Sequence, residues 1–159
     1  MTEVDHPVPL SASDVTVLNL LQNDISLSRQ ELADKAGLSP STLWRRISEL
    51  EVVGAIRKRV ALLNPDKVGL SVVVFVSINL VDHTNETRKS FEDFVNRTPN
   101  IMESFLVTGA FDYMLIIRTK TVGHFEKLLM DEILAQKAVA SASSNIALRQ
   151  RKYTTALPL

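Results

Sequence analysis

Residues 28–54 read SRQELADKAGLSPSTLWRRISELEVVG, and this stretch predicts two short helices joined by a tight turn. A serine followed three residues later by Glu31 is a capping-box pattern, so a helix begins there. Gly37 is typical of the left-handed residue that ends a helix. Ser39 is a typical N-cap, and Pro40 suits the first helical position, where its missing N–H has no intrahelical partner to lose. Together these signals predict a helix-turn-helix unit.

The helix predicted over residues 40–53 has an inner and an outer face. At 100° per residue, Leu43, Ile47 and Leu50 point toward a core. The opposite face carries small hydroxyl groups and an arginine. This composition favours a helix in the DNA major groove, where arginine binds guanine through two hydrogen bonds. The candidate DNA-contacting residues on and beside this helix are Ser39, Ser41, Thr42, Trp44, Arg45, Arg46 and Ser48.

Three consecutive basic residues, Arg57, Lys58 and Arg59, follow this helix. Residues 40–59 hold five basic and two acidic side chains, a local charge of +3, although the whole chain has 18 Lys+Arg and 18 Asp+Glu. Such a triplet is usually a solvated charge run. Because it follows a helix-turn-helix, we expect these side chains to form a wing that contacts DNA phosphates, and each contact would steepen the salt dependence of binding.

Two of the DNA-contact candidates have an equally good structural interpretation. Arg46 leans toward the edge of the core, where it could pair with Glu31 or Glu49 instead of a phosphate. Trp44 could pack on the first helix of the domain instead of stacking against a sugar.

The segments on either side of this unit define the predicted domain. A first helix begins at Ser11 or Ser13, carries Val15, Leu18 and Leu21 on one face, and ends at Asn23-Asp24. Residues 56–63 predict a short extended segment, and the turn-rich residues that follow predict a boundary. We therefore expect a DNA-binding domain over residues 1–63, a hinge over 64–70, and a second domain over 71–159.

The second domain alternates strand-like and helix-like runs. The first strand is apolar on both faces, with Val74 and Val76 on one and Val73 and Phe75 on the other. The runs lie at residues 71–81, 85–98, 101–108, 113–119, 121–135 and 139–148, in the order β-α-β-β-α-β. This order predicts a ferredoxin-like α+β domain. Its two helices cover one face of the sheet, so we expect another subunit to bury the other face.

Several classes of function are excluded or disfavoured by composition. The chain has no Cys, so disulfides, Cys-ligated zinc and Cys nucleophiles are excluded. His6, His83 and His124 are scattered without metal-ligand spacing. We therefore expect no metal, no cofactor and no catalytic residues. No apolar run approaches the ~20 residues of a membrane helix, and the first ten residues lack the pattern of a signal peptide, so we expect a cytoplasmic protein that does not bind membranes.

Motifs along the chain follow one another in a fixed order. They include Glu31-Leu32-Ala33-x-x-x-Gly37-Leu38-Ser39-Pro40-Ser41, Arg45-Arg46-Ile47-x-x-Leu50-Glu51-x-x-Gly54-Ala55-Ile56, Asn64-Pro65-x-x-Val68-Gly69, Thr108-Gly109-x-x-Asp112-Tyr113 and Thr154-Thr155-x-Leu157-Pro158-Leu159. In order and spacing they resemble the Lrp/AsnC (feast/famine) family of transcriptional regulators, over nearly the whole chain.

The resemblance implies a winged helix-turn-helix joined by a strand and hinge to a ligand-sensing domain. It implies that double-stranded DNA is the partner, that the chain dimerises through its sheet, and that dimers assemble into tetramers or octamers. It also implies that a small effector, usually an amino acid, binds between dimers and shifts DNA affinity or assembly.

The resemblance places the effector near the turn between the second and third strands. The candidate residues are Thr108, Gly109, Ala110, Phe111, Asp112, Ser141 and Ser143. Backbone N–H groups of the turn could hold a carboxylate, and the aspartate could accept from an ammonium group. Thr108, Gly109 and Asp112 are equally well explained as an ordinary β-turn, and the two serines as small residues that let sheets approach each other. The chain also departs from the family here, with Ala-Phe where Asp-Tyr is frequent, so effector identity stays open.

One alternative function uses the same two-domain scaffold. Some relatives of this layout are haem-precursor (siroheme-type) decarboxylases, which need cationic and histidine side chains around a tetrapyrrole. The side chains available for that role here are Arg118, Arg149, Arg151 and His124. Nothing in the sequence brings them together, so the regulator is the leading hypothesis.

Overall fold

The computed structural model describes residues 7–24 and 26–159, so His6 and most of the N-terminal stretch considered above lie outside the described residues. The chain divides into two compact units. One comprises Met1–Ala61 together with Lys152–Leu159, and the other comprises Leu62–Arg151. The C-terminal residues, which we expected in the second domain, thus pack with the first.

Three helices build the first unit: α1 (Ala12–Asn23), α2 (Arg29–Ala36) and α3 (Pro40–Val52). All three begin where the sequence predicts. The N-cap serines accept hydrogen bonds from backbone N–H groups three residues on, which satisfies donors that have no partner inside a helix. Gly37 ends α2 in the left-handed region at φ 65°. The helix-turn-helix prediction is confirmed.

The buried side of α1 differs from the one predicted. Val17 is fully buried, whereas Val15, Leu18 and Leu21 are only half-buried. The helix is rotated so that Asp14 also lies inside, where its carboxylate accepts from Ser11 and faces α3. Apolar periodicity alone could not locate this face, because the rotation is set by a polar cap that packs between helices.

The segment after α3 forms no strand. Residues 57–64 have no regular secondary structure, so the strand that the family resemblance implies before the hinge is not formed by these residues. A strand needs a neighbouring strand for its backbone N–H and C=O groups. None of the strands in the described residues pairs with this segment, so the extended segment predicted over residues 56–63 is not part of a sheet.

The second unit is a four-stranded antiparallel sheet with helices on one face. Its elements are β1 (Val72–Leu80), α4 (Asn85–Arg97), β2 (Ile101–Leu106), β3 (Tyr113–Thr119), α5 (Val122–Lys127) and β4 (Val139–Ile146). The strand order is β2-β3-β1-β4, with β1 and β3 in the centre. The ferredoxin-like prediction is confirmed, although β2 and β4 each end two residues before the predicted position.

The core of this unit lies between the sheet and its helices. Alternate residues of β1, from Val74 to Leu80, and of β3, from Tyr113 to Ile117, contact the apolar sides of the helices. The helix predicted over residues 121–135 is α5 followed by π-helical turns at Leu128–Ile133. The wider i→i+5 repeat brings both ends of that segment into the core, which a regular 3.6-residue pattern does not anticipate.

The described helices of this unit all pack on one face of the sheet, and we call the opposite face the open face. Strand alternation and register place apolar side chains on it from Val73, Phe75, Phe105, Met114 and Ile116. Three of the five are exposed. Among the helices described, none is long and apolar enough to cross a membrane.

Candidate DNA interface and effector site

The turn between α2 and α3 fixes how α3 is presented. The Leu38 N–H donates to the Ala33 carbonyl at 3.0 Å, which closes the end of α2 around Gly37. Leu43, Ile47 and Leu50 are buried against α1 and α2, as predicted. Because three successive turns of α3 are held this way, its other side is rigidly displayed to solvent.

The exposed side of α3 is polar at its N-terminal end. Ser41, Arg45 and Ser48 are all exposed, as the helical angles predict. Arg45 Nη1 lies 2.6 Å from Glu49 Oε1, and both side chains are about half-exposed or more. Since exposed ion pairs of this kind are weak, Arg45 can exchange its carboxylate partner for a base edge at little cost.

Three of the predicted hydroxyl residues form a cluster at the N-cap of α3. Ser39 Oγ accepts from the Thr42 N–H at 3.2 Å and also lies 2.8 Å from Thr42 Oγ1 and 3.1 Å from Ser41 Oγ. The cluster holds the helix N-terminus, whose free N–H groups favour a phosphate. Ser39 and Thr42 therefore have a structural role at the end of the helix that would meet DNA.

Arg46 points toward α1, not outward. Its Nη1 atom lies 3.8 Å from Asp14 and 3.5 Å from Glu49, whereas Glu31, the other partner considered, accepts from the Ser28 N–H. Hydrogen bonds from the Ser11 side chain and backbone lower the pKa of Asp14, with a smaller contribution from Arg46. The structure thus places Arg46 in an ion pair between α3 and α1.

Trp44 is half-buried and packs against the core of the first unit. Two guanidinium groups contact its ring, Arg59 at 5.6 Å from the ring centroid and Arg29 at 4.7 Å. Arg59 also pairs with Glu51. Arg29, at the first position of α2, was missed in the sequence because only the buried side of that helix was considered.

The other two basic residues of the triplet are exposed. Across the described parts of the chain, no carboxylate oxygen lies within 4.0 Å of a charged nitrogen of Arg57 or Lys58. Their segment has no regular structure, so both side chains are free to follow a phosphate backbone.

The turn between β2 and β3 is tied to β1 through Asp112. Its N–H donates to the Ile78 carbonyl at 2.9 Å, and its Oδ2 accepts from the Leu80 N–H at 2.8 Å. The other oxygen, Oδ1, faces His83 Nδ1 at 3.5 Å. Gly109 adopts φ 123°, a conformation that favours glycine. Asp112 therefore has a structural role, and one of its two oxygens is left without a backbone donor.

The sheet brings the remaining candidates to the same end as this turn. Ser141 lies opposite Asn79 in β1, and Ser143 lies opposite Ser77, so all four side chains are on the open face. Asn79 Nδ2 donates to Ser141 Oγ at 3.3 Å. Asn79 and His83 were not among the predicted residues. Asn79 could have been recognised in the sequence, because it is a polar amide inside an otherwise apolar strand.

Two of the residues required by the decarboxylase alternative, Arg118 and His124, lie on opposite sides of the sheet. Arg118 lies on the open face and donates to the Leu70 carbonyl and to Gln150. His124 lies on α5, which covers the opposite face of the sheet, and its ring contacts the Thr121 hydroxyl. Side chains on opposite faces of one sheet cannot line one pocket within a protomer.

Comparisons with known proteins identify both units. Residues 10–57 match a winged helix-turn-helix DNA-binding family, and residues 73–157 match the Lrp/AsnC ligand binding domain. The glutamate uptake regulatory protein of Zymomonas mobilis is 34% identical over 146 residues, which cover 92% of this chain and 88% of that protein.

Solved structures show the same architecture over the same length. An AsnC family transcriptional regulator from Agrobacterium tumefaciens is 38% identical with a TM-score of 0.89. A transcriptional regulator from Neisseria meningitidis, solved as a complex with L-Met, is 31% identical with a TM-score of 0.90. In both comparisons the match covers 94% of this chain and 97% of the other. This chain therefore belongs to the Lrp/AsnC family of DNA-binding transcriptional regulators.

Proposed function

We propose that this regulator binds operator DNA through the outer side of α3 and the basic residues beside it, and that an amino acid bound at the open-face end of the sheet adjusts that binding. The main evidence for this DNA interface is that the two sides of α3 differ in burial and in composition. Its apolar side is locked into the core while Ser41, Arg45 and Ser48 are presented together to solvent. As a DNA-binding regulator, the protein would act in the cytoplasm.

The side chains at this interface have different roles. Arg45 reads a guanine after releasing Glu49, and the hydroxyls of Ser41 and Ser48 contact bases or phosphates. Arg57 and Lys58 contact phosphates, which gives affinity without sequence preference. Arg46 holds α3 against α1 and so contributes to DNA binding indirectly, by positioning the helix.

The protein acts as a dimer formed through the open face. The apolar side chains there remain exposed among the described residues and need cover from another molecule. A twofold dimer presents two α3 helices to half-sites of a pseudo-palindrome, one or more helical turns apart. Dimers assembled further, into tetramers or octamers, would contact several turns of DNA.

The effector site lies around the β2–β3 turn, with Thr108, Gly109, Ala110, Phe111 and Asp112 on one side and Ser141 and Ser143 on the other. The Asp112 oxygen that faces His83 is placed to accept from an α-ammonium group. The similar Neisseria regulator was solved with L-Met, and the Zymomonas relative is a glutamate uptake regulator, which supports an amino acid here. The effector changes DNA affinity only to the extent that it binds more tightly to one of two states of the protein, one with higher and one with lower affinity for DNA.

The DNA interface is tested by comparing Arg45→Ala with a control, Arg97→Ala on α4. Fluorescence anisotropy with upstream DNA and with unrelated DNA of equal length, at two salt concentrations, gives specific and non-specific affinity. Loss of a base contact is expected to weaken specific binding by about 1–3 kcal/mol and to relax specificity. Equal affinities for both variants and the wild type would reject α3 as the reading helix.

The effector site is tested with Asp112→Asn, in which an amide oxygen can still accept from the Leu80 N–H. We expect ligand-free DNA binding to persist and the response to added amino acids to weaken. Asp112→Ala is the comparison, because it leaves the Leu80 N–H without its acceptor and should lower stability as well. A full amino-acid response in a stable Asp112→Asn protein would exclude the carboxylate from the site.

A further inference from the structure

We propose that Arg29 is an additional DNA-contacting residue, one that binds a backbone phosphate and is positioned for it by Trp44. The inference rests on the proposed use of α3 as the DNA-facing helix. It adds a cation from a different helix, α2, to an interface so far built from α3 and the residues that follow it.

Arg29 lies beside the N-terminal half of α3. The Arg29 guanidinium carbon lies 4.7 Å from the centroid of the Trp44 ring. Trp44 is the fifth residue of α3 and the immediate neighbour of Arg45. The end of a recognition helix that enters the groove is its N-terminal half. Arg29 is therefore held beside the part of α3 that would approach DNA, where a phosphate next to the contacted bases would lie.

The positive charge of Arg29 lies near another cation and away from carboxylates of the described residues. Arg45 pairs with Glu49 and Arg59 with Glu51, but no carboxylate oxygen of the described residues lies within 4.0 Å of the Arg29 guanidinium. A second guanidinium, that of Arg59, contacts the same tryptophan ring. Two like charges are thus gathered at one aromatic side chain, and the positive charge of Arg29 is uncompensated by any ion pair.

Arg29 is the first residue of α2 and so lies at the positive end of the helix dipole, where a cation is unfavourable. The favourable negative charge in this first turn comes from Glu31, whose carboxylate accepts from the Ser28 N–H. The arginine is therefore not placed to stabilise α2. A bound phosphate would relieve both the dipole and the repulsion from Arg59.

The role of Trp44 is to position the Arg29 side chain. Its Nε1 is buried and has no hydrogen-bond partner, so the indole is not arranged to donate to DNA. Its ring instead offers Arg29 a flat surface, and stacking on that surface limits the conformations of a long side chain before DNA arrives. A side chain already held in place loses less entropy on binding.

The test compares Arg29→Gln with Arg29→Lys and with Lys35→Gln, an exposed cation two turns along the same helix. Loss of one phosphate contact should make the log–log salt dependence shallower by about 0.9, which is about eightfold in affinity at about 0.1 M salt. We expect this for Arg29→Gln on specific and unrelated DNA alike, without a lower Tm. Lysine should restore most of the slope, and Lys35→Gln should leave it unchanged.

Two outcomes would overturn the inference. One is an Arg29→Gln salt slope equal to that of the wild type or of Lys35→Gln, and the other is failure of lysine to restore affinity. If Arg45→Ala, measured in parallel, weakens binding while Arg29→Gln does not, only the role of Arg29 fails. If neither variant changes affinity, the proposed interface itself fails.

Trp44 provides an independent readout because it is the only tryptophan in the chain. Binding of unlabelled DNA should change its emission and shield it from an ionic quencher. The shielding should be weaker in Arg29→Gln, whose phosphate contact is lost. Emission and quenching that do not respond to saturating DNA would contradict a place for this pair at the interface.

Discussion

Replacement of Phe75 by alanine should weaken dimerisation by two to three orders of magnitude. Phe75 lies in the centre of β1, beside Ile116 of β3, and is 40% exposed on the open face. Taking about 200 Å² for a phenylalanine side chain, each protomer offers about 80 Å² of it for burial. A symmetric dimer buries two copies, about 160 Å², which at about 25 cal/mol per Å² corresponds to about 4 kcal/mol.

Because about 1.4 kcal/mol corresponds to a factor of ten, this loss raises the dimer dissociation constant by about a hundredfold to a thousandfold. Sedimentation equilibrium over a series of protein concentrations measures that constant directly. Val122→Ala is the matched control, since Val122 is 51% exposed but lies on α5, on the other side of the sheet. Met114→Ala, at a neighbouring open-face position that is 39% exposed, is a second test with a smaller expected effect.

The reasoning would be refuted if Phe75→Ala dimerised within a factor of three of the wild type. It would also be refuted if Val122→Ala had the same effect as Phe75→Ala. Circular dichroism of each variant shows whether the sheet domain is intact, so that loss of dimer is not confused with loss of fold.

Three further predictions concern the first unit and its caps. Hydrogen bonds from Ser11 lower the pKa of Asp14 in the folded protein. The ionised carboxylate therefore stabilises the fold fully above the unfolded pKa of about 4, and this contribution is lost as the pH falls through the folded pKa. Asp14→Asn should flatten this part of a curve of unfolding free energy against pH. Gln22→Ala removes two 2.8 Å hydrogen bonds to the Leu157 backbone, and hydrogen exchange of the Leu157 amide should accelerate; unchanged protection would show that the C-terminal residues are held otherwise. Gly37→Ala should destabilise by about 1 kcal/mol because φ is positive there, whereas Gly123→Ala in α5 should not; equal denaturant midpoints would contradict the backbone argument.

Local signals account for the features that the sequence predicted correctly. The N-cap serines and Gly37 act through hydrogen bonds and dihedral angles within a few residues, so their effect does not depend on the rest of the fold. The apolar spacing of Leu43, Ile47 and Leu50 located the buried side of α3 for the same reason. The order of strands and helices then predicted the sheet domain, because few topologies accommodate that order.

Errors arose where a distant contact decides the local structure. Asp14 is buried on α1 although it is polar, and it packs toward Arg46, more than thirty residues away in the chain. The extended segment after Ile56 has β-like composition but no strand to pair with. The π-helical turns have buried residues at both ends, Leu128 and Ile133, a spacing that a regular 3.6-residue periodicity does not predict.

Local signals in the sequence were enough to predict the helix-turn-helix and the ferredoxin-like order, because caps, turns and periodicity act within a few residues. Which of the candidate side chains are available for binding depends on how the elements pack together. The tertiary structure paired Arg46 with α1, tied one Asp112 oxygen to β1, and brought Ser141 and Ser143 beside Asn79. It also placed Arg29 against Trp44. Contacts between side chains far apart in the chain depend on how the elements pack, and no local pattern encodes that packing.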